Sequence, residues 1–293
     1  MARKRYSVHQ TLIVLFFAVV CLAIFFPFFL MAVASVTAEK AILSGGFRLF
    51  PEPFSLDAYK LIFRNSNVLL NSYLVTILVT VTGTVCSLLL TAMTAYPIAR
   101  RDYRYNRGTT FYIFFTMLFS GGLVPFYILM TQYLELKDTI LALILPLLLS
   151  PYNIMIMKGF LDKMPMEIIE SGKMDGASET RLFFTMVLPL STPALATLGL
   201  FIAFAYWNDW FNALLFIDKP SLVPVQLLLA RIINQIEFLA NSPMSAGLVD
   251  TSQFPTLSTR MAMAILAGGP MLVIFPFFQK YFVKGITVGS LKG

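Results

Sequence analysis

From Thr11 to Val36 the chain runs twenty-six residues without a charged side chain. A helix rises about 1.5 Å per residue, so roughly 20 apolar residues are enough to cross the hydrocarbon layer of a bilayer. Five further runs repeat the pattern at 69–98, 110–133, 139–161, 190–217 and 258–283. The balance of 58% hydrophobic against 13% charged residues in 293 excludes a soluble domain. The expectation is an all-α integral membrane protein: six transmembrane helices forming one domain over 1–293.

The N-terminal run has a rival reading. Arg3, Lys4 and Arg5 precede it, and Ala32-Val33-Ala34 has the form of a signal-peptidase site. The run is longer than the roughly 7–15 residues of a cleavable core, which favours a retained anchor. Cys21 and Cys86 both fall inside spans, where a thiol acts as a small packing residue, and no disulfide framework is implied. His9 has no ligand partners nearby in sequence, and no metal site is expected.

Orientation follows from basic residues on alternate loops. With the N-terminus inside, the inner segments carry fourteen: Arg3, Lys4, Arg5, Arg100, Arg101, Arg104, Arg107, Lys158, Lys163, Lys173, Arg181, Lys280, Lys284 and Lys292. The outer segments carry the other eight, so both termini are expected in the cytoplasm. The net charge of +7 therefore reads as membrane orientation, with no sign of nucleic-acid binding.

One inner segment, 158–189, is crowded with charge: Lys158, Asp162, Lys163, Glu167, Glu170, Lys173, Asp175, Glu179 and Arg181. It must lie in water, yet its mixture of polar and apolar positions suits docking. Pro165 fits the first turn of a helix, and Glu167 and Glu170 favour that end of its dipole. A short helix from Met166 to about Ser171 is expected, then a bend at Gly172. Asp175, Gly176 and Ser178 suit the cap of a second helix through Phe183 and Phe184. Two short helices make a plug for a groove in a soluble partner, with Met174, Phe183 and Phe184 as apolar contacts.

On the outer side, 218–257 carries an apolar stripe at helical spacing (Leu228, Ile232, Ile236, Leu239). An amphipathic helix on the membrane surface or a partner subunit reads this way, as does a plain capping loop. Breakers recur at membrane depth: Gly121-Gly122 with Pro125, Pro146 with Pro151, and Gly268-Gly269-Pro270. Broken helices accompany substrate sites in transporters, although a kink also serves packing. Tyr206, Trp207, Asn208, Asp209, Trp210 and Asn212 cluster in the fifth span, and Tyr152 and Asn153 follow Pro151. Aromatic faces beside amide and carboxylate groups suit sugars, and a carboxylate in a span faces the protein interior. A structural role remains open for each.

The segment Pro165 to Pro193, with E-S-G-K-M-D-G-A and L-P-L-S-T-P, resembles the cytoplasmic signature loop of permease subunits of bacterial ABC importers, within the maltose-type carbohydrate branch. Glu170, Gly176, Leu188 and Pro189 match the family spacing. Ser171 and Gly172 stand where two alanines are usual, and Met186 replaces an isoleucine. The resemblance extends more loosely through W-N-D-W at 207–210 to the C-terminus. It implies a type I importer fold in the bacterial inner membrane, working with a paralogous permease, two ATP-binding subunits and an external solute-binding protein. Glu167, Glu170, Ser171, Gly172, Met174, Asp175, Gly176, Ala177 and Phe183 then form the ATPase-coupling surface, and 284–293 is a cytoplasmic tail toward the ATPases.

The chain has no phosphate-binding loop, so no cofactor is expected on it, and ATP and Mg belong to the partner subunits. It is read as a non-catalytic subunit. A secondary transporter explains the broken spans and Asp209 but leaves the docking segment without use. A membrane enzyme would need an acid cluster or nucleophile that the sequence lacks. The family branch points to oligosaccharides, and overall similarity leans toward acidic ones such as alginate fragments.

Overall fold

The computed structural model of the chain describes residues 8–64, 66–241 and 256–290. Fifteen α-helices occur among the described residues: α1 (Val8–Ser35), α2 (Glu39–Gly45), α3 (Asp57–Phe63), α4 (Ser66–Ala99), α5 (Asn106–Leu118), α6 (Leu123–Ile128), α7 (Ile140–Ile144), α8 (Pro151–Leu161), α9 (Met166–Met174), α10 (Glu179–Leu182), α11 (Leu188–Leu190), α12 (Thr192–Trp207), α13 (Phe211–Phe216), α14 (Val225–Asn241) and α15 (Thr256–Ser290). Between them no strand forms, only an isolated bridge between Thr37 and Phe54.

Three helices are long and apolar enough to cross a membrane alone, and three bent pairs meet the same test together. The bends are 108° between 106–118 and 123–133, 51° between 140–147 and 151–161, and 79° between 179–190 and 192–207. Two fall at expected breakers. Gly122 has φ +87°, which an L side chain rarely adopts, and its amide donates to the Ser120 hydroxyl oxygen at 3.2 Å. Pro151 opens α8, where its missing donor costs nothing. Gly268-Gly269-Pro270 is different: α15 runs through all three without a break. A proline removes one helical hydrogen bond and kinks a helix more often than it ends one.

The chain divides into two compact units, Met1–Leu69 with Leu229–Gly269, and Leu70–Leu228 with Pro270–Gly293. In the first, α1 is exposed along nearly its whole length until Val33 and Ala34. Beyond it, the Glu39 carboxylate is buried and receives hydrogen bonds from Thr256, Leu257 and Ser258.

In the second unit, α4, α5, α8 and α12 share a core that includes Val79, Ala95, Ile113, Met157, Leu198 and Tyr206. Apolar burial gains little in lipid, so close approach and hydrogen bonds must hold such helices together. Gly83 supplies the closest approach: a Cβ there would lie 2.5 Å from Cζ of Tyr206. The Tyr206 hydroxyl donates to the Ile144 carbonyl at 2.8 Å and pairs with Ser87 at 3.2 Å. The first turns of α14 also enter this core. Val225 and Leu227 are buried, and the Val225 amide donates to Thr76 Oγ1 at 2.8 Å, so that end of the 218–257 segment does not lie on a surface. Residues 242–255 of the segment lie outside the described residues.

The C-terminal expectation also changes. Residues 284–290 continue α15 as helix rather than forming a separate tail, while Lys292 and Gly293 lie outside the described residues.

Candidate functional site: a charged two-helix segment and its anchor

α9 follows Pro165 and ends at Met174. It closes in a Schellman turn: the Ala177 amide donates to the Gly172 carbonyl at 3.0 Å and the Gly176 amide to Lys173 at 2.9 Å. Gly176 takes the left-handed position at φ +74°, with open space where a Cβ would stand. The bend therefore sits at Gly176, and the expected hinge at Gly172 is not there. Gly172 is buried inside α9, where a Cβ would meet Leu182 Cδ2 at 2.3 Å and Met186 Sδ at 3.0 Å. Its role is close packing.

The second helix starts as the sequence implies. Ser178 caps α10, its hydroxyl accepting from the Arg181 amide at 3.3 Å. The chain continues as a π turn over Phe183–Val187 into α11. Phe183 is buried, with its ring 5.5 Å from that of Tyr96, so it is not on the exposed surface where an apolar contact was expected, while Phe184 and Met174 are. Both of these are exposed, Met174 at 88%. Glu167, Glu170, Ser171, Asp175 and Gly176 are exposed too, and Ala177 is half-buried.

What the sequence reading missed is the anchor beneath this surface. Arg100, one residue past α4, has a side chain only 8% exposed. Its guanidinium donates to Asp102, Glu179 and the Tyr96 hydroxyl, the last at 2.9 Å. Lys173 closes the arrangement at 3.1 Å from Asp102 and 3.2 Å from Glu179. The Arg100 hydrogen bond, joined by that of Lys173, holds the Asp102 carboxyl well below the usual range. Burial pushes Glu179 upward, but Tyr96, Lys173 and Arg100 outweigh it and leave it lowered. Both carboxylates are thus charged at neutral pH. A cleft of about 490 Å³ opens beside them, lined by Met93, Tyr96, Pro97, Arg100, Asp102, Tyr103, Glu179, Thr180, Phe183 and Phe184. Arg100 had been counted only as one of several loop cations, and a buried arginine gives no sequence signal apart from its neighbours.

The residues assigned to a solute path do not form one patch. Tyr206 and Trp207 are buried, Trp207 with its ring 6.4 Å from Tyr73, and both belong to packing. Asn208 is exposed and accepts from Gln226 at 3.2 Å, while Trp210 is 47% exposed. Asp209, expected to face the protein interior, accepts from the Asn212 amide at 3.1 Å and its side chain at 2.9 Å, fastening the start of α13. Asn212, with Phe211, lines a second cleft of about 550 Å³ against Ser120, Gly121, Gly122, Leu123, Pro125, Phe126 and Leu129. Tyr152 and Asn153 lie in the first turn of α8, Tyr152 exposed and Asn153 half-buried.

A helical membrane chain with bent spans and an anchored, exposed two-helix projection has the makings of a transporter subunit. Known proteins specify which kind. The chain is 38% identical over 282 residues to the polygalacturonan/rhamnogalacturonan transport system permease protein YtcP of Bacillus subtilis (strain 168), covering 95% of each. It is 39% identical over 270 residues to Protein LplC of the same organism, covering 91% of this chain and 89% of that one. The arabinooligosaccharides transport system permease protein AraQ of B. subtilis is 26% identical over 297 residues, covering 99% and 98%. A solved structure of a bacterial ABC transporter involved in the import of the acidic polysaccharide alginate superposes with a TM-score of 0.79 at 26% identity, covering 96% of this chain and all of that one. No protein-family model matches the chain. The chain belongs to the permease subunits of bacterial ABC carbohydrate importers. It is accordingly a multi-pass protein of a bacterial inner membrane.

Proposed function

We propose that the chain is one of two paralogous permease subunits of an ATP-driven importer for acidic oligosaccharides. Each bent pair counts as one span in this reading, giving six, with both termini and the 158–189 segment in the cytoplasm. An external solute-binding protein delivers the sugar, and two ATP-binding subunits grip the exposed face of α9 and α10. ATP and Mg bind on those subunits, and this chain carries no catalytic step. The single observation that supports the reading most is the two-helix projection. It presents Glu167, Glu170, Met174 and Asp175 outward while its other side is fixed by ion pairs to Arg100 and Asp102.

Acidic substrates are favoured because YtcP is named for polygalacturonan and rhamnogalacturonan, and the solved neighbour for alginate. The path for the sugar includes Asn212 and the cleft behind Gly121-Gly122, where a broken helix leaves backbone groups for polar solutes. Movement of the ATPases, passed through α9 and α10, drives alternation between inward- and outward-open states.

The experiment is uptake by vesicles holding the two permeases and the ATPases, with the binding protein added outside. Tetragalacturonate and an alginate tetramer enter with ATP, and a neutral arabino-oligosaccharide does not. Uptake driven by an ion gradient without an ATPase would refute the reading in favour of a secondary transporter. Uptake of only the neutral sugar would refute the acidic substrate alone.

A further inference from the structure

The four charges beneath the coupling surface alternate in sign around a closed circuit: Arg100 to Asp102, Asp102 to Lys173, Lys173 to Glu179, and Glu179 back to Arg100. The four members come from three pieces of chain. Arg100 and Asp102 follow α4, Lys173 lies in the last turn of α9, and Glu179 is the first residue of α10. The start of α5 joins them, because the Asn106 side-chain amide donates to the Arg100 carbonyl at 2.8 Å.

Isolated ion pairs with exposed partners contribute little to stability, typically about 0–1 kcal/mol. A buried guanidinium fork is different in kind, since its planar donors fix direction as well as distance. Here the fork lies under Tyr96, whose hydroxyl joins both Arg100 and Glu179, at 2.9 and 3.0 Å. Toward the C-terminus the covalent route from α9 leads through Gly176 into α10 and on to α12, and toward the N-terminus through 162–165 into α8. Gly176 is an exposed left-handed turn with no packing around its Cα, a place where such a lever would flex. The charge circuit bypasses that turn and reaches α4 directly.

We propose that Arg100, Asp102, Lys173 and Glu179 form an ionic strut that makes α9, α10 and the Ala99 end of α4 move as one body. Arg100 is then a positioning residue for transport. The inference rests on the reading of α9 and α10 as the ATPase-gripped surface. It adds that force reaches α4 through the strut, besides α8 and α12 through the backbone.

The test uses the full complex with its ATPases, after serine replaces Cys21 and Cys86, which are both exposed. Spin labels at Arg181→Cys and Tyr105→Cys, both exposed and outside the residues assigned to ATPase contact, report the separation of α10 from the loop after α4. The pair is measured without nucleotide and with ATP, Mg and vanadate. With the strut intact, one narrow distance persists in both states. Arg100→Gln broadens it and makes it shift with nucleotide by roughly 1–2 Å or more, the scale of helix shifts in switching proteins, while the ATPases still co-purify. Arg100→Lys restores part of the narrow distribution. If Arg100→Gln does not assemble, Lys173→Gln, which opens the exposed limb alone, is read the same way. A distance that changes with nucleotide in the unaltered strut overturns the proposal, as does a narrow distance that survives the substitutions. Failure of the unaltered complex to retain any ATPase overturns the coupling reading itself, and the strut with it.

Discussion

Ser258 gives both its backbone amide, at 2.9 Å, and its hydroxyl, at 2.7 Å, to the same carboxylate oxygen of Glu39, 219 residues earlier. The other oxygen receives the Thr256 hydroxyl and the Leu257 amide, each at 2.8 Å. Glu39 thus does from a distance what a capping side chain does locally, satisfying donors that the first turn of α15 leaves open.

That relationship sets a pH dependence. Burial alone would raise the Glu39 carboxyl, but the Leu257 and Ser258 donors outweigh it and leave its pKa below the ordinary 4.5. A carboxylate with a lowered folded pKa contributes stability above the ordinary value. That contribution is lost as pH falls below 4.5 and through the lowered folded value. Glu39→Gln is expected to cost about 1.5–3 kcal/mol at pH 7, read as a lower melting temperature in detergent. It also flattens the fall of that temperature below pH 4.5.

Gly172→Ala tests the packing of α9 on α10. The added methyl meets Leu182, which is fully buried and has little room to turn aside. A loss of about 1–3 kcal/mol is expected, and Leu182→Ala in the same chain recovers part of it. Gly176→Ala meets no atom and pays only for backbone strain, about 1–2 kcal/mol. Melting temperatures of the three variants separate the two glycines. A bulky residue at Gly176 weakens ATPase co-purification, because it occupies the exposed turn that the partner approaches.

Gly83 and Tyr206 form a second tight contact. The tyrosine ring cannot yield to a methyl at Gly83 while Ile144 and Ser87 hold its hydroxyl. Gly83→Ala is expected to lose about 1–3 kcal/mol of stability. Tyr206→Phe also destabilises, because it leaves the Ile144 carbonyl without that donor. The double variant's loss is expected to differ from the sum of the two, which a double-mutant cycle on melting temperatures reads directly.

Asp209 and Asn212 divide structure from path. Asp209→Ala frees the start of α13 and is expected to cost about 0.5–2 kcal/mol, as loss of a cap does. Asn212→Ala keeps the backbone bond to Asp209 and loses only the side-chain one, so it lowers the melting temperature less than Asp209→Ala while lowering tetragalacturonate uptake, since Asn212 lines the cleft at Gly121-Gly122. Uptake and melting temperature measured on the same preparations distinguish them.

The helical class and the positions of two bends were legible because apolar runs, Gly122 and Pro151 act locally. The Ser178 cap was legible for the same reason. Gly172 was misread because a glycine in a charged stretch signals flexibility, whereas its cause is Leu182, ten residues on. Two departures from the family pattern also explain each other: Gly172 lacks the usual alanine methyl, and Met186, in place of isoleucine, comes within 3.0 Å of where a Cβ would stand. Asp209 and Asn212 were both read as candidates for the solute path, and their bond to each other is not signalled by the sequence. Arg100 was read only as one basic residue of a loop, and Glu39 went unread. Their partners lie up to 79 and 219 residues away, beyond the reach of any local pattern.

α1 is apolar on every side, so its sequence prefers no direction about its own axis. Its register is set instead at one end, where Ser35 meets Tyr59 at 3.0 Å and the Thr37 hydroxyl returns to the Val33 carbonyl at 2.7 Å. A rod fixed at one end and uniform along its length tolerates exchange of one large hydrophobe for another almost anywhere between Leu12 and Phe26. Sequence drift there costs little, and polar residues after Val33 help to aim it.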